Sequence, residues 1–222
     1  AAGGLASTKD SPLPLVILFP EITFNRKKFI KKVQEKVKKF GYCSIVVSEG
    51  VKGSNGQFLS DQGLKDAFGH AQLGGVAPVI ANLIKEDLGF KYHWSVADYL
   101  QRAARHIASQ VDVDQAYALG ASAVKLAIEG QNAVMPTIER ISDHPYKWKL
   151  GTARLSRVAN IEKKMPKKFI SIDGFGITPS CERYLKPLIK GEAYPPYKDG
   201  LPKYVTLKNK SVKKKLSNNF KI

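Results

Sequence analysis

The run Leu15-Val16-Ile17-Leu18-Phe19-Pro20, then Asn25 to Phe40 with Gly41 behind it, then Ser44-Ile45-Val46-Val47, decides the reading of this chain. Five consecutive apolar residues closed by a proline suit a strand buried on both faces, which a parallel sheet requires. Asn25 is placed to cap a helix whose apolar side would be Phe29, Ile30, Val33, Val37 and Phe40, and Gly41 can end it in the left-handed conformation. Residues 44–47 then supply a second buried strand. The three pieces form one strand-helix-strand unit with a right-handed crossover, so an α/β fold is expected.

Working outward, residues 49–75 are rich in Gly, Ser, Asn, Asp and Gln and read as a long excursion with one short helix near 64–68. A helix over 79–88 is stopped by Gly89, and Lys91-Tyr92-His93-Trp94-Ser95-Val96 is a third strand candidate. Asp112 with Gln115 three residues later has the spacing of a capping box, opening a helix that runs to Glu129 before Gly130. Segments 132–141 and 148–155 read as strands or a hairpin, 181–189 as a helix, 194–197 as a turn and Tyr204-Val205-Thr206-Leu207 as a last strand. Residues 1–7 resemble the tail of a helix and the first residue is not methionine, so the sequence reads as part of a longer chain. It divides into a core over 1–100, carrying an insertion at about 50–90, and a remainder over 101–222 that ends in a basic tail.

At 222 residues and 43% hydrophobic, the chain can bury a substantial core. No stretch approaches the roughly 18 to 20 apolar residues of a membrane span, and no basic region precedes an apolar run as in a signal peptide. A soluble, cytoplasmic protein is expected. Cys43 and Cys181 stand far apart with no paired Cys or His at metal spacing, so two reduced thiols are expected, with neither a disulfide framework nor a metal site. Lys and Arg total 36 against 19 Asp and Glu, a formal charge of +17, which raises nucleic acid as a candidate partner. Much of that charge, at Lys27, Lys28, Lys31, Lys32, Lys36, Lys38 and Lys39, falls on the polar side of one helix, where solvation accounts for it. Nucleic acid is therefore set aside as the main reading. The tail 208–221, with Lys213-Lys214-Lys215, admits two readings: a nucleic-acid arm, or a short docked helix using Val212 and Leu216.

In open parallel sheets, ligands collect at the carboxyl ends of strands. Three places qualify: Pro20-Glu21, Ser48-Glu49-Gly50, and Ala97-Asp98 leading into Tyr99-Leu100-Gln101-Arg102. A carboxylate accepts hydrogen bonds from sugar hydroxyls, an Arg offers a planar fork to a phosphate, and a Tyr hydroxyl can donate to the same group. Plainer roles stand beside these. Glu49 could cap a helix or pair with a lysine, and Arg102, one helical turn from Tyr99, could lay its stem on that ring. His70, His93, His106 and His144 have no spacing that signals catalysis or metal binding.

Phe19-Pro20-Glu21, Val47-Ser48-Glu49-Gly50 and Tyr99-Leu100-Gln101-Arg102, in that order, resemble the second half of phosphofructokinases. Residues 69–76 (GHAQLGGV), 99–106 (YLQRAARH) and 191–197 (GEAYPPY) resemble the pyrophosphate-dependent branch in particular, and the likeness runs from residue 1 to about 208. It implies a three-layer, phosphofructokinase-like α/β fold with a mainly parallel sheet. It also implies phosphoryl transfer from pyrophosphate to the 1-hydroxyl of fructose 6-phosphate, with Mg2+, in glycolysis, by a cytoplasmic homo-oligomer, commonly a homodimer. By position, Glu49 matches the family's sugar-binding carboxylate and Arg102 the arginine that grips the 6-phosphate. Tyr99 stands where ATP-using relatives carry a histidine, and Gln101 supports the loop. The family's glycine-rich donor loop, catalytic base and metal-binding aspartate have no match here. No catalytic residue is therefore expected in these 222 residues, and Mg2+ and pyrophosphate would bind through the missing half. ATP remains the nearest alternative donor, with a basic nucleic-acid-binding module as the reading from another class.

Overall fold

In the computed structural model, which describes residues 1–65, 71–73, 75–211 and 213, strand β1 (Leu15–Leu18) and strand β2 (Ser44–Val47) pair in parallel, Leu15 opposite Ser44 and Leu18 opposite Val47. Helix α1 (Arg26–Phe40) makes the crossover. Its ends are those the sequence specifies: the Asn25 side chain accepts from the Lys28 N–H at 2.9 Å, and Gly41 takes φ 79°. No side chain approaches Gly41 within 4 Å, so the left-handed backbone alone requires glycine there.

β1 is buried on both faces because two layers use it. Val16 and Leu18 join Phe29 and Val33 of α1, Val51, and Val76, Ile80 and Ile84 of helix α2 (Val76–Leu88). Ile17 and Phe19 point the other way, onto Ile170, with Leu15, Met165 and Ile177 around them. The short 3-10 turn Ala2–Ala6 backs this second side, where a methyl group on Gly4 would overlap Ile177. The order is helices, sheet, then turns and a helix, the three layers that an α/β fold needs to cover both faces. Each fully buried aliphatic or aromatic side chain contributes about 1.5 to 3 kcal/mol. Arg26 ties α1 to α2 by a fork onto Asp87, at 2.7 and 2.8 Å, and a bond to Glu86 at 2.9 Å.

β2 departs from expectation: none of its residues is buried, and Val46 is 38% exposed. Only the face carrying Ile45 and Val47 packs on the first core. The structure also corrects the reading of the excursion. Residues 61–65, expected partly in a short helix, form β3 (Asp61–Lys65), antiparallel to β4 (Ala71–Leu73). The remainder of that expected helix, 66–68, lies outside the described residues. Over so few residues, hydrophobic spacing cannot tell helix from strand. Lys91–Val96 is not a strand: among the described residues no ladder includes it, so alternation met no partner to pair with.

Beyond it come the single-turn helix α3 (Leu100–Ala103) and the long helix α4 (Gln110–Ile128). α4 starts earlier than the Asp112 capping box implies, because Ser109 takes the cap and accepts from the Asp112 N–H at 3.2 Å. An antiparallel hairpin follows, β5 (Val134–Asp143) with β6 (Tyr146–Arg154). Helix α5 (Pro179–Leu185), capped by Thr178, continues as a 3-10 turn over Lys186–Ile189. The expected last strand at 204–207 is absent; the short pair β7 (Tyr197–Lys198) and β8 (Leu201–Pro202) stands just before it. Parallel pairing is thus confined, among the described residues, to β1 and β2, and the other three ladders are antiparallel. Val212 and Leu216 of the proposed docked helix lie outside the described residues.

Candidate functional site

A groove of about 1350 Å³ runs between β2 with the loop after it and the extended segment that leads into α3. One part of its wall is apolar, from Val33, Val37, Ile80 and Ile84. Its polar wall carries Ser48, Glu49, His93, Asp98, Tyr99 and Arg102. The three residues singled out for a sugar phosphate therefore border one hollow. This volume exceeds the roughly 300 to 1,000 Å³ of an ordinary ligand pocket, so a hexose monophosphate would occupy only a portion of it.

Local chain geometry explains the placement. β2 ends at Val47, Ser48 N–H still donates to the Leu18 carbonyl at 3.3 Å, and the turn closed by Val51 N–H to Ser48 carbonyl at 3.2 Å carries Glu49 outward. Glu49 is exposed and, among the described residues, makes neither a helix cap nor an ion pair, so the two plainer roles fall away. Also in the lining, Asp98 adopts φ 45°, a left-handed conformation that Asp tolerates better than most residues, and turns the chain into α3. Tyr99 precedes α3 and is 65% exposed; Arg102 lies on it, with its guanidinium carbon 5.1 Å from the ring centroid. The plain expectation of a contact with the ring is met, through the guanidinium rather than the stem. Stacking and phosphate binding are compatible, since a guanidinium over a ring keeps its N–H edge free. Gln101 lies in α3 between them.

The other candidate strand end does not join the site. Glu21 accepts from the Met165 N–H at 2.9 Å, which fixes the 165 segment across the end of β1. His93 and Ser48 line the groove without having been assigned a role from sequence. No sequence signal singles out His93, since all of Lys91 to Val96 lines the groove. Cys43 also lines it, but burial pushes its thiol up to about 11, with Lys36 opposing weakly. At neutral pH it stays protonated and is not a nucleophile. Among the described residues no group of three or more His, Cys, Asp or Glu side chains gathers as a metal cluster would. No helix among the described residues is long and apolar enough to cross a membrane.

The lining of one groove thus holds a carboxylate, a guanidinium and a phenol, on an α/β fold whose parallel pair β1–β2 lies beside it. Comparison with known proteins gives the class a narrower identity. No protein-family model matches the chain. The pyrophosphate--fructose 6-phosphate 1-phosphotransferase of Methylococcus capsulatus is 62% identical over all 222 residues, which cover 53% of that protein. The crystal structure of a pyrophosphate-dependent phosphofructokinase from Nitrosospira multiformis superposes with a TM-score of 0.83 at 64% identity, over 98% of this chain and 51% of that one. The corresponding Marinobacter aquaeolei structure gives 0.81 at 52% identity, over 100% and 52%. The chain belongs to the phosphofructokinase family, in its pyrophosphate-dependent branch, and spans about half the length of the relatives it matches.

Proposed function

We propose that the groove is the fructose 6-phosphate site of a phosphotransferase that forms fructose 1,6-bisphosphate and phosphate from fructose 6-phosphate and pyrophosphate. The observation that carries the reading is the shared groove of Glu49, Tyr99 and Arg102. Arg102 and the Tyr99 hydroxyl hold the 6-phosphate by charge-assisted hydrogen bonds, and Glu49 accepts from ring hydroxyls. Anchoring the sugar at both ends presents its 1-hydroxyl in one orientation, and Gln101 supports the loop that does so. Such positioning is most of what phosphoryl transfer asks of a protein beyond charge stabilisation. The residues that would hold pyrophosphate, carry Mg2+ and take the proton from the 1-hydroxyl belong to the part of the relatives' length outside this sequence. Pyrophosphate rather than ATP is supported by the similarity to pyrophosphate--fructose 6-phosphate 1-phosphotransferases, at 53 to 62% identity. A homodimeric, cytoplasmic enzyme of glycolysis is proposed with it, on the family resemblance.

The test is an assay of a polypeptide of the relatives' full length carrying this sequence, with Mg2+ and fructose 6-phosphate. Fructose 1,6-bisphosphate should accumulate with pyrophosphate and not with ATP. Formation with ATP alone would replace the donor, and no formation with either would remove the reading.

A further inference from the structure

Residues 97–108 carry Tyr99 and Arg102 but have little to hold them. α3 is a single turn, followed by a 3-10 turn over Arg105–Ile107, and Tyr99, Leu100 and Ile107 are each about two-thirds exposed. One helical turn is not stable by itself in water. The segment just beyond α5 supplies what is missing. Ala193 N–H donates to the Ala108 carbonyl at 3.1 Å, Gln110 N–H to the Gly191 carbonyl at 2.9 Å, and Val111 N–H to the Lys190 carbonyl at 3.3 Å. The Ser109 hydroxyl donates to the Leu188 carbonyl at 2.8 Å, and the Arg105 guanidinium donates to the Ala193 carbonyl. Two glycine requirements meet at Gly191. Its φ is 73°, and a methyl group there would stand 2.7 Å from Cβ of Gln110. Close approach of the two segments is thus built into the sequence.

The far end of this strap is anchored too. The Tyr184 carbonyl accepts from Arg140 at 2.8 Å, and the Arg140 guanidinium is sandwiched between the rings of Tyr146 and Tyr184, 4.8 and 4.4 Å from their centroids. Cys181 of the same helix is buried. A continuous path therefore runs from α5 through residues 186–193 to the loop that presents Arg102.

We infer that Arg105 and Gly191 are positioning residues for the sugar-phosphate site: the strap 186–193 fixes the loop 97–108, and through it the reach of Arg102 and Tyr99. This rests on the proposed reading of the groove. Arg105 acts here through a backbone carbonyl and not on the substrate, which separates it from Arg102, three residues away. Neither residue was singled out for this role in the sequence, because a surface Arg and a turn Gly look ordinary until the segments they join are seen together.

The test uses Arg105→Met, Arg105→Lys, Gly191→Ala and Arg102→Ala in a polypeptide of the relatives' full length. Arg105→Met and Gly191→Ala should each raise KM for fructose 6-phosphate roughly 10- to 100-fold, the cost of a displacement of about 1 Å. KM for pyrophosphate and kcat should stay within about twofold. Arg105→Lys keeps a donor and should recover most of the loss. Deuterium uptake at the Ala103 and Ala104 amides should rise in Arg105→Met. If Arg102→Ala raises KM while Arg105→Met and Gly191→Ala do not, the strap has no positioning role and the site reading stands. If Arg102→Ala has no effect, the site reading fails, and unchanged uptake at Ala103 and Ala104 would overturn the strap as well. Loss of kcat and of both substrates' KM together would mark a purely structural role and also overturn the inference.

Discussion

The strand-helix-strand unit and the arm that follows it bury their apolar side chains to very different depths. Val16, Phe29, Val33 and Val51 are at most 2% exposed, and the unit is sealed on both faces of β1. From Lys85 to Phe169, by contrast, no described residue is buried, although this stretch contains α4 and a long hairpin. α4 rests on the hairpin by one side, where Gln115 donates to the Tyr146 hydroxyl at 2.7 Å. On another side Tyr117, Val124 and Ile128 are 80%, 61% and 81% exposed, spaced with Gly120 and Ala121 so that they recur along one face. A helix apolar on more than one side is suited to burial from more than one side. The difference teaches that regular secondary structure and burial are separate outcomes: α4 and the β5–β6 ladder form although much of their apolar surface stays exposed.

The largest expected effect breaks the sealed region. Phe29→Ala should destabilise the 222-residue chain by about 3 to 5 kcal/mol, the range for truncating a fully buried Phe, measured by urea unfolding. A loss comparable to that of a surface substitution would mean that this core does not hold the fold. The same measurement on the open region sharpens the contrast. Val124→Ser and Tyr117→Ser should change stability by no more than about 0.5 kcal/mol, as surface substitutions do. They should also reduce self-association of the chain in sedimentation, since an exposed apolar stripe is adhesive. Losses of several kcal/mol would show that α4 is buried in solution after all.

A smaller effect follows the link between α1 and the 171–175 turn, where Lys32 Nζ lies 2.8 Å from Asp173. Burial opposes ionisation of Asp173, but the hydrogen bonds from Lys32, Ser171 and the Phe175 N–H outweigh it and bring the carboxyl down to about 2. Its folded value is below the ordinary one of about 3.9. The stabilisation is therefore complete above about pH 4 and is lost as pH falls towards 2. Because the pair is partly exposed, it should be worth about 1 kcal/mol or less. Asp173→Asn should flatten that part of the stability-pH profile; an unchanged profile would remove the pair from the account.

Legibility in the sequence followed the same division. β1, α1 with both its caps and the end of α2 were readable because local signals and burial agree there: Asn25, Gly41 and Gly89 sit where the helices begin and end, while β2 was readable as a strand but not as a half-open one. The third strand at 91–96 was misread because alternation reports a preference for extended backbone, not the presence of a neighbour to pair with. The start of α4 was misplaced because Ser109 and Asp112 are both good caps, and Ser109 is held by Leu188, which sequence spacing does not show. For the site, Glu49, Tyr99 and Arg102 were legible as chemistry at chain positions that could converge. The contact of Arg102 with Tyr99 follows from their spacing of one helical turn, whereas their convergence with Glu49 on one groove, and the strap whose hydrogen bonds join residues 79 to 88 positions apart, were not legible.

The central claim is that Arg102 grips the 6-phosphate of a sugar held against Glu49, and a binding cycle tests it without reference to turnover. The affinities of fructose 6-phosphate and of fructose are measured by calorimetry for the parent full-length polypeptide and for Arg102→Ala. The phosphate ester should lose roughly 2 kcal/mol, about 30-fold, while fructose loses almost nothing, because only the ester offers the charge that Arg102 meets. Equal losses for the two ligands, or none for either, would contradict the account.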